Sequence, residues 1–141
     1  MTAPLAPDSG YYLQRCRELG AAAARQGESA VGSLIVMDGV IVAEGQESSR
    51  RAQDVTYHAE VVAIRAACLA LHQPKLPGAT LYTTHEPCIL CAYVIRHTGL
   101  ARVSIDKLVP YVGGLSSAYP VLTATDIPIW GPPPLIEIAE Q

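Results

Sequence analysis

Residue types that bind metal ions recur at short spacing in the middle of the chain. His58-Ala59-Glu60 comes first, and Pro87-Cys88-Ile89-Leu90-Cys91 follows later. Cysteines at positions i and i+3 lie close together on the first turn of a helix, so both sulfurs can reach one ion. Thiolate and imidazole ligands favour zinc, and three protein ligands leave the fourth position to water. The spacing therefore predicts a catalytic Zn²⁺ site held by His58, Cys88 and Cys91.

Glu60 is the carboxylate that the sequence places nearest to this predicted site. It follows His58 at the second position, so it can flank the metal ion without ligating it. Zinc lowers the pKa of its water to about 7, which makes a nucleophile available at neutral pH. A neighbouring carboxylate can carry a proton from that water to a departing amine. We therefore predict that Glu60 is the catalytic residue.

Other interpretations of the cysteine pair remain open. A lone Cys-x-x-Cys can be a redox pair, or one half of a structural zinc site that needs a fourth protein ligand. His85 and His97 flank the pair and are candidates for that ligand. Cys16 and Cys68 lie among apolar neighbours at helical spacing, so we predict that they are packing residues.

The elements that position these residues can be predicted from hydrophobic periodicity and turn residues. Asp8 or Ser9 begins a predicted helix that runs to about Arg25. Asp38-Gly39 separates two β-branched runs, which is typical of a hairpin. The remaining predicted elements are strands over 31–37, 40–43, 79–84, 100–105 and 135–138, and helices over 58–71, 87–97 and 116–122. Their order predicts a three-layer α/β/α sandwich.

Composition limits the class of protein. Of the 141 residues, 50% are hydrophobic and 16% charged, which predicts one globular domain over 1–141 with a flexible tail over 1–7. The net charge of −3 disfavours a nucleic-acid partner without excluding it. No segment shows a signal-peptide pattern or the ~20 apolar residues of a membrane span. With closely spaced cysteines, this predicts a cytoplasmic protein without a membrane partner.

The two-part pattern His58-x-Glu60 and Pro87-Cys88-x-x-Cys91 resembles the signature of the cytidine deaminase-like superfamily. The branch it resembles contains guanine deaminases, fungal-type cytosine deaminases and tRNA-adenosine deaminases. The resemblance runs from about Val31 to Ile105. It implies a central mixed sheet of about five strands, zinc between the N-termini of two helices, and a homodimer with the site near the subunit interface.

The resemblance also implies roles and a reaction. Glu60 would be the proton shuttle, and backbone amides around Ala59 and Cys88 would hold water and substrate. The leading hypothesis is hydrolytic deamination of a free nucleobase or related amino-heterocycle, guanine- or cytosine-like. Water activated by zinc adds to the ring carbon that bears the amine, and ammonia leaves.

Two alternatives stay open. The first is a tRNA-specific adenosine deaminase, which would need a basic surface. Its candidate residues are Arg50, Arg51, Arg96, Arg102 and Lys107. The second is a non-catalytic, zinc-stabilised interaction domain, although a purely structural site has no need of Glu60.

Substrate contacts are predicted at two further places. The resemblance implies an Asn after the second strand, but this chain has Gly45-Gln46-Glu47. Glu47, or Gln46 if the register shifts, would accept hydrogen bonds without donating them and so favour a ring rich in N–H groups. The alternative is that Glu47 is a solvated loop residue. Near the chain end, Trp130 is predicted to stack on a flat ring, ahead of Tyr111 and Tyr119, and the alternative for each is packing.

Overall fold

The computed structural model describes residues 2–3 and 5–141 of the chain. The elements within these ranges, in chain order, are β1 (Thr2–Ala3), α1 (Ser9–Arg25), β2 (Gly32–Met37), β3 (Val40–Gln46), α2 (Ser49–Ala52), α3 (Ala59–Leu71), β4 (Thr80–His85), α4 (Ile89–Thr98), β5 (Arg102–Lys107) and β6 (Leu135–Ile138). None of the helices in the described part of the chain combines the length and apolar character that crossing a bilayer requires.

The strands form one mixed sheet in the order β1-β6-β5-β4-β2-β3. The hairpin β2–β3 and the pair β2–β4 are antiparallel, while β4, β5, β6 and β1 run parallel to one another. Helices cover both faces, which confirms the predicted three-layer α/β/α fold with a mixed sheet.

The short strand β1 lies within residues 1–7, for which a flexible tail is predicted. Thr2 and Ala3 pair with Ile136 and Glu137 of β6. Without β1, the backbone groups on that side of β6 would form an open sheet edge, and pairing satisfies them. Leu5 also packs against the core under α1. Met1 and Pro4 lie outside the described residues.

Alternating side chains divide the core between the two faces of the sheet. On one face, Leu34, Val36 and Tyr82 pack against Leu13 and Cys16 of α1. On the other face, buried strand residues pack against α3 and α4. That larger cluster includes Ile35, Leu81, Val103, Ile105, Ala63, Ile64, Ala92 and Ile95. Because side chains of a strand alternate between faces, the mostly apolar β2 and β4 can serve both layers. Cys16 is fully buried, as predicted for a packing residue.

A close contact between β3 and α3 positions the start of α3. A Cβ built on Gly45 would lie 2.5 Å from the Ala59 carbonyl oxygen and 2.6 Å from the Ala63 nitrogen. No side chain fits between the two backbones, so only glycine allows this approach. The end of β3, and with it Glu47, therefore lies beside the first turn of α3.

The segment between β3 and α3 contains the helical turn α2, where the sequence predicts no helix or strand. The buried Glu28 carboxylate accepts hydrogen bonds from the backbone N–H groups of Arg50 and Arg51, at 3.1 and 2.8 Å. A carboxylate at free N–H groups stabilises a helix start. Since Glu28 lies more than twenty residues earlier in the chain, the residues of α2 themselves give no signal that predicts a helix.

The helix predicted for 116–122 is wrong, because these residues form turns. Pro120 lacks a backbone N–H and disfavours helical geometry at Tyr119. The N–H groups of Leu115 and Ser116 bond to the side chain of Glu86. The ends of β4 and β5 lie one or two residues later than predicted, which is ordinary for element boundaries.

Candidate metal centre and adjoining cavity

The predicted metal ligands lie at the starts of two helices. His58 is the N-cap residue of α3, and Cys88 is the N-cap residue of α4, both with extended backbone. Cys91 lies in the first turn of α4 and is fully buried. The N-termini of α3 and α4 therefore converge, and their partial positive charge favours thiolate.

The distances among the three ligand atoms fit a zinc ion. His58 Nδ1 lies 3.4 Å from the Sγ atoms of both Cys88 and Cys91, and the two sulfurs are 3.8 Å apart. Zinc bonds of ~2.3 Å to sulfur and ~2.0–2.1 Å to nitrogen, at tetrahedral angles, place these atoms about 3.6 and 3.8 Å apart. The side chains are thus positioned to bind one ion, which confirms the predicted Zn²⁺ cofactor.

No fourth protein ligand joins the cluster within residues 2–3 and 5–141. His85 Nδ1 shares a hydrogen bond of 2.8 Å with Thr84 Oγ1. His97 Nε2 shares one of 2.8 Å with the Tyr93 hydroxyl. Neither histidine belongs to the group of ligand atoms that lie within 4.8 Å of one another, so among the described residues the fourth position is left to water.

Hydrogen bonds within the cluster shift the pKa values of its ligands in opposite directions, lowering that of Cys88 and raising those of His58 and Cys91. The hydrogen bond with Cys91, reinforced by His58, lowers the pKa of the Cys88 thiol to about 4 even though burial opposes the change. The hydrogen bond with Cys88 raises the pKa of His58 to about 9. A metal ion replaces the shared protons, because it binds thiolate and neutral imidazole.

Glu60 lies in the first turn of α3, beside the metal ligands but outside their set. Its side chain is only 4% exposed. Burial raises the pKa of this carboxyl group to about 8. It lines a cavity together with His58 and Cys88.

This cavity has a volume of about 400 Å³, within the usual range for small-molecule sites. Its lining residues are Ser29, Ala30, Val31, Glu47, His58, Glu60, His85, Glu86, Cys88, Val109, Tyr111 and Val112. Tyr111 stands at the rim, where it is 83% exposed. Of the predicted site residues, Glu47, His58, Glu60 and Cys88 thus meet at one opening.

Glu47 is not a solvated loop residue. Its backbone N–H donates to the Val31 carbonyl at 3.0 Å, which continues the β-hairpin edge past β3. Its side chain is 8% exposed, and Oε2 accepts a hydrogen bond of 2.6 Å from Ser49 Oγ. Ala59, the other predicted contact, is fully buried at the first position of α3.

Trp130 is not brought to this cavity. Its ring packs 5.2 Å from the Tyr93 ring and lies 4.8 Å from the Arg96 guanidinium carbon. Arg96 donates to the carbonyls of Ala124 and Gly131, which holds the chain around Trp130 against α4. Tyr119 is exposed and does not line the cavity either. Within the described chain, the Trp130 ring therefore packs against α4 and is not placed to stack on a ring bound in the cavity.

Glu86 is a site residue that sequence reasoning missed. Its carboxylate accepts hydrogen bonds from the N–H groups of Val109, Leu115 and Ser116 and from Ser116 Oγ, at 2.6–2.8 Å. Burial raises the pKa of Glu86, but these hydrogen bonds outweigh burial and hold it below the usual value. Glu86 thereby fixes the loop that brings Tyr111 to the rim. The only sequence signal was its place directly before Pro87.

The basic surface proposed for a tRNA substrate is reduced by internal contacts. Arg96 is buried and donates to backbone carbonyls. Arg102 forms an ion pair of 2.7 Å with Glu137. Arg50 and Arg51 donate to Gly27 and Gln26, although both remain exposed. The predicted five-residue patch is therefore not formed in full by this chain.

Comparisons with known proteins agree with the site. The pattern described as "Cytidine and deoxycytidylate deaminase zinc-binding region" matches residues 7–107. A tRNA-specific adenosine deaminase of Agrobacterium fabrum is 40% identical over 95 residues, which are 67% of this chain and 62% of the relative. A guanine deaminase of Bacillus subtilis is 40% identical over 87 residues, 53% of this chain and 56% of the relative. This chain thus spans less than two thirds of the length of either relative.

A solved structure gives a longer match. It comes from a study of A-to-I editing by tRNA:A34 deaminases at the wobble position of transfer RNA. The two chains superpose with a TM-score of 0.85 at 30% identity, over 93% of this chain and 98% of the other. The metal ligands, the fold and these matches together show that this chain belongs to the cytidine and deoxycytidylate deaminase zinc-binding family.

Proposed function

We propose that this chain is a zinc-dependent hydrolytic deaminase. The observation that carries this proposal is the open metal centre beside the buried Glu60, at the base of a cavity of small-molecule size. A purely structural zinc site would normally have four protein ligands and no adjacent cavity. The reaction adds water to a ring carbon that bears an amino group, and ammonia leaves while a carbonyl forms.

Each part of the site has a task in this reaction. His58, Cys88 and Cys91 would hold zinc, which supplies a water of lowered pKa at neutral pH. Glu60 accepts a proton at its carboxyl group from that water and delivers it to the departing amine. Backbone amides at the start of α3, around Ala59, would hold the substrate.

Adenosine in a tRNA is the substrate that the comparisons favour. The solved structure from the study of tRNA:A34 deaminases matches nearly the whole length of both chains. The Agrobacterium fabrum relative carries the same substrate in its name. Tyr111 at the rim offers an aromatic face for an unstacked base.

A free, guanine-like base is the second candidate, and the charge of the site favours it. Glu47, Glu60 and Glu86 line the cavity, and its lining includes no Lys or Arg. The net charge of −3 and the internal contacts of Arg96 and Arg102 leave little basic surface for phosphates. The guanine deaminase of Bacillus subtilis is the matching relative.

Ammonia release from zinc-loaded protein separates the two candidates. We would compare an adenosine-containing tRNA anticodon hairpin with free guanine, adenine and cytosine, at 50 and 200 mM salt. A tRNA substrate predicts turnover of the hairpin that falls steeply with salt, because phosphate contacts release counterions. A free base predicts turnover that hardly changes with salt.

The Glu60→Ala variant is the control for the proposed reaction. We expect it to bind zinc normally and to lose ammonia release about 10²- to 10⁴-fold. If no amino-heterocycle is turned over and Glu60→Ala lowers zinc content, the non-catalytic interaction domain becomes the better account.

The single domain, the homodimer with a site near its interface, and the cytoplasmic location stay predictions. Size-exclusion chromatography with light scattering tests the dimer.

A further inference from the structure

We propose that Glu47 determines which ring the cavity accepts, by favouring a substrate that presents N–H donors to its carboxylate. The inference rests on the proposed deaminase function. It concerns the edge of the ring, and it favours the guanine-like candidate over adenosine in a tRNA, because the adenosine ring carries neither a second amino group nor an N–H beside the reacting amine.

The first step is the position of the Glu47 carboxylate. The side chain lines the same cavity as His58 and Glu60, yet more than nine-tenths of its surface is buried. Ser49 Oγ donates to Oε2 at 2.6 Å, which fixes the orientation of the group. Among the described residues, no donor reaches Oε1. An acceptor in such a place gains free energy when a bound molecule donates to it.

The second step concerns the other groups around the cavity. The carboxylate of Glu86 is already engaged by four hydrogen bonds from the loop above it. His85 Nδ1 is engaged with Thr84. No Lys, Arg, Asn or Gln lies in the lining. No cationic or amide side chain of the lining is thus available to donate to Glu47 Oε1, so this role is left to a group on the bound ring.

The third step is the chemistry of a carboxylate. It accepts hydrogen bonds and donates none, whereas the amide of a glutamine does both. Ring amino groups and ring N–H groups are donors, while unprotonated ring nitrogens are acceptors and would meet Oε1 unfavourably. The site therefore fits aminopurines or aminopyrimidines that carry a second amino group or an N–H beside the reacting amine.

Binding to a protein without turnover tests this inference. We would use zinc-loaded Glu60→Gln protein and titrate two pairs of bases by calorimetry. The pairs are adenine with 2,6-diaminopurine, and 4-aminopyrimidine with 2,4-diaminopyrimidine. In at least one pair we expect the diamino base to bind at least about tenfold more tightly than its partner, because its second amino group can donate a hydrogen bond to a charged acceptor.

The added substitution Glu47→Gln should reduce that preference to about threefold or less, because Gln presents a donor as well as an acceptor. Glu44→Gln is the matched control. Glu44 lies on β3, three residues before Glu47, pairs with Arg15 and does not line the cavity. The Glu44→Gln control should keep the full preference for the diamino base.

Two results overturn the inference. Either neither diamino base is preferred, or the preference stays within twofold of its original value in Glu47→Gln. Ammonia release by the unsubstituted protein tests the proposed function separately. If ammonia is released while Glu47→Gln changes nothing, the inference about Glu47 fails and the deaminase stands. If the preference depends on Glu47 but no amine is turned over, Glu47 selects ligands and the proposed reaction fails.

Discussion

Single side chains in the site divide into those that hold the metal and those that shape the cavity. His58, Cys88 and Cys91 follow from residue type and spacing alone, because few other arrangements need an imidazole and two thiols at helix starts. Glu86 could not be identified in this way. Its role depends on backbone N–H groups of a loop that lies more than twenty residues later. Trp130 lies away from the cavity for a related reason, since Arg96 holds its segment against α4.

Glu86→Gln should destabilise the loop that carries Tyr111 to the rim. One amide nitrogen would face backbone donors instead of accepting from them, so we expect the free energy of unfolding to fall by about 1–3 kcal/mol. Urea denaturation measures this loss. Ser116→Ala is the control, because it removes one of the four hydrogen bonds and should cost less. Equal stability of Glu86→Gln and the parent protein would contradict the role given to Glu86.

At the scale of elements, the site depends on how β3, α1 and α3 meet. The bounds of α1 and the position of the hairpin turn were predictable because periodicity and Asp38-Gly39 are local signals, although β3 runs three residues beyond its predicted end. The helical turn α2 and the irregular segment after Gly114 were not, because the carboxylates of Glu28 and Glu86 fix them from a distance. Gly45 shows the same limit, since only the folded backbone reveals why it must be glycine.

Gly45→Ala should separate β3 from the first turn of α3. The new methyl group would overlap the Ala59 carbonyl and the Ala63 backbone nitrogen, so we expect a loss of stability of about 1–3 kcal/mol or more. Thermal unfolding and zinc content of the purified protein measure the effect. In Gly10→Ala, the control, the methyl group meets nothing within 4 Å on α1. It should leave the stability unchanged or raise it by less than the ~0.5–1 kcal/mol expected in a helix interior, because Gly10 lies in the first turn of α1. Similar melting temperatures for the two variants would count against the close contact.

The ion pair between α1 and β3 predicts a dependence of stability on pH. The hydrogen bond from Arg15 holds the pKa of Glu44 below its usual value of 4.5. Stability from this pair is therefore fully present above pH 4.5 and is lost as pH falls through the lowered pKa of Glu44. Because both side chains are partly exposed, we expect a few tenths to about 1 kcal/mol. Denaturation of Glu44→Gln between pH 3 and 7 should lack the pH-dependent contribution of this ion pair to stability. If Glu44→Gln and the parent protein show the same dependence of stability on pH, the prediction is wrong.

At the scale of the whole molecule, the metal centre joins α3 and α4 across one face of the sheet. The sequence order was enough to predict the three layers, because helices must cover both faces of a largely apolar sheet. The strand β1 was not predictable, since a segment of two residues has no periodicity of its own. Placing two helix starts at one ion means that zinc binding should also stabilise the fold.

Removal of zinc should therefore lower the melting temperature. At a free zinc concentration a hundredfold above its dissociation constant, the expected stabilisation is about 2.7 kcal/mol. Calorimetry before and after chelation measures it, and re-addition of zinc should restore the original transition. Magnesium is the control and should have no effect, because thiolates do not favour it. An unchanged transition after complete chelation would contradict a metal that links α3 and α4.

Zinc K-edge X-ray absorption tests the central claim most directly, because it reports the atoms bound to the ion. For zinc-loaded protein we expect two sulfur atoms at about 2.3 Å and two lighter atoms at about 2.0–2.1 Å, one from His58 and one from water. Cys91→Ser should lower the sulfur count to one, while Glu60→Gln should leave the spectrum unchanged. A fourth ligand from the protein, or sulfur atoms missing from the parent protein, would contradict the open three-ligand centre.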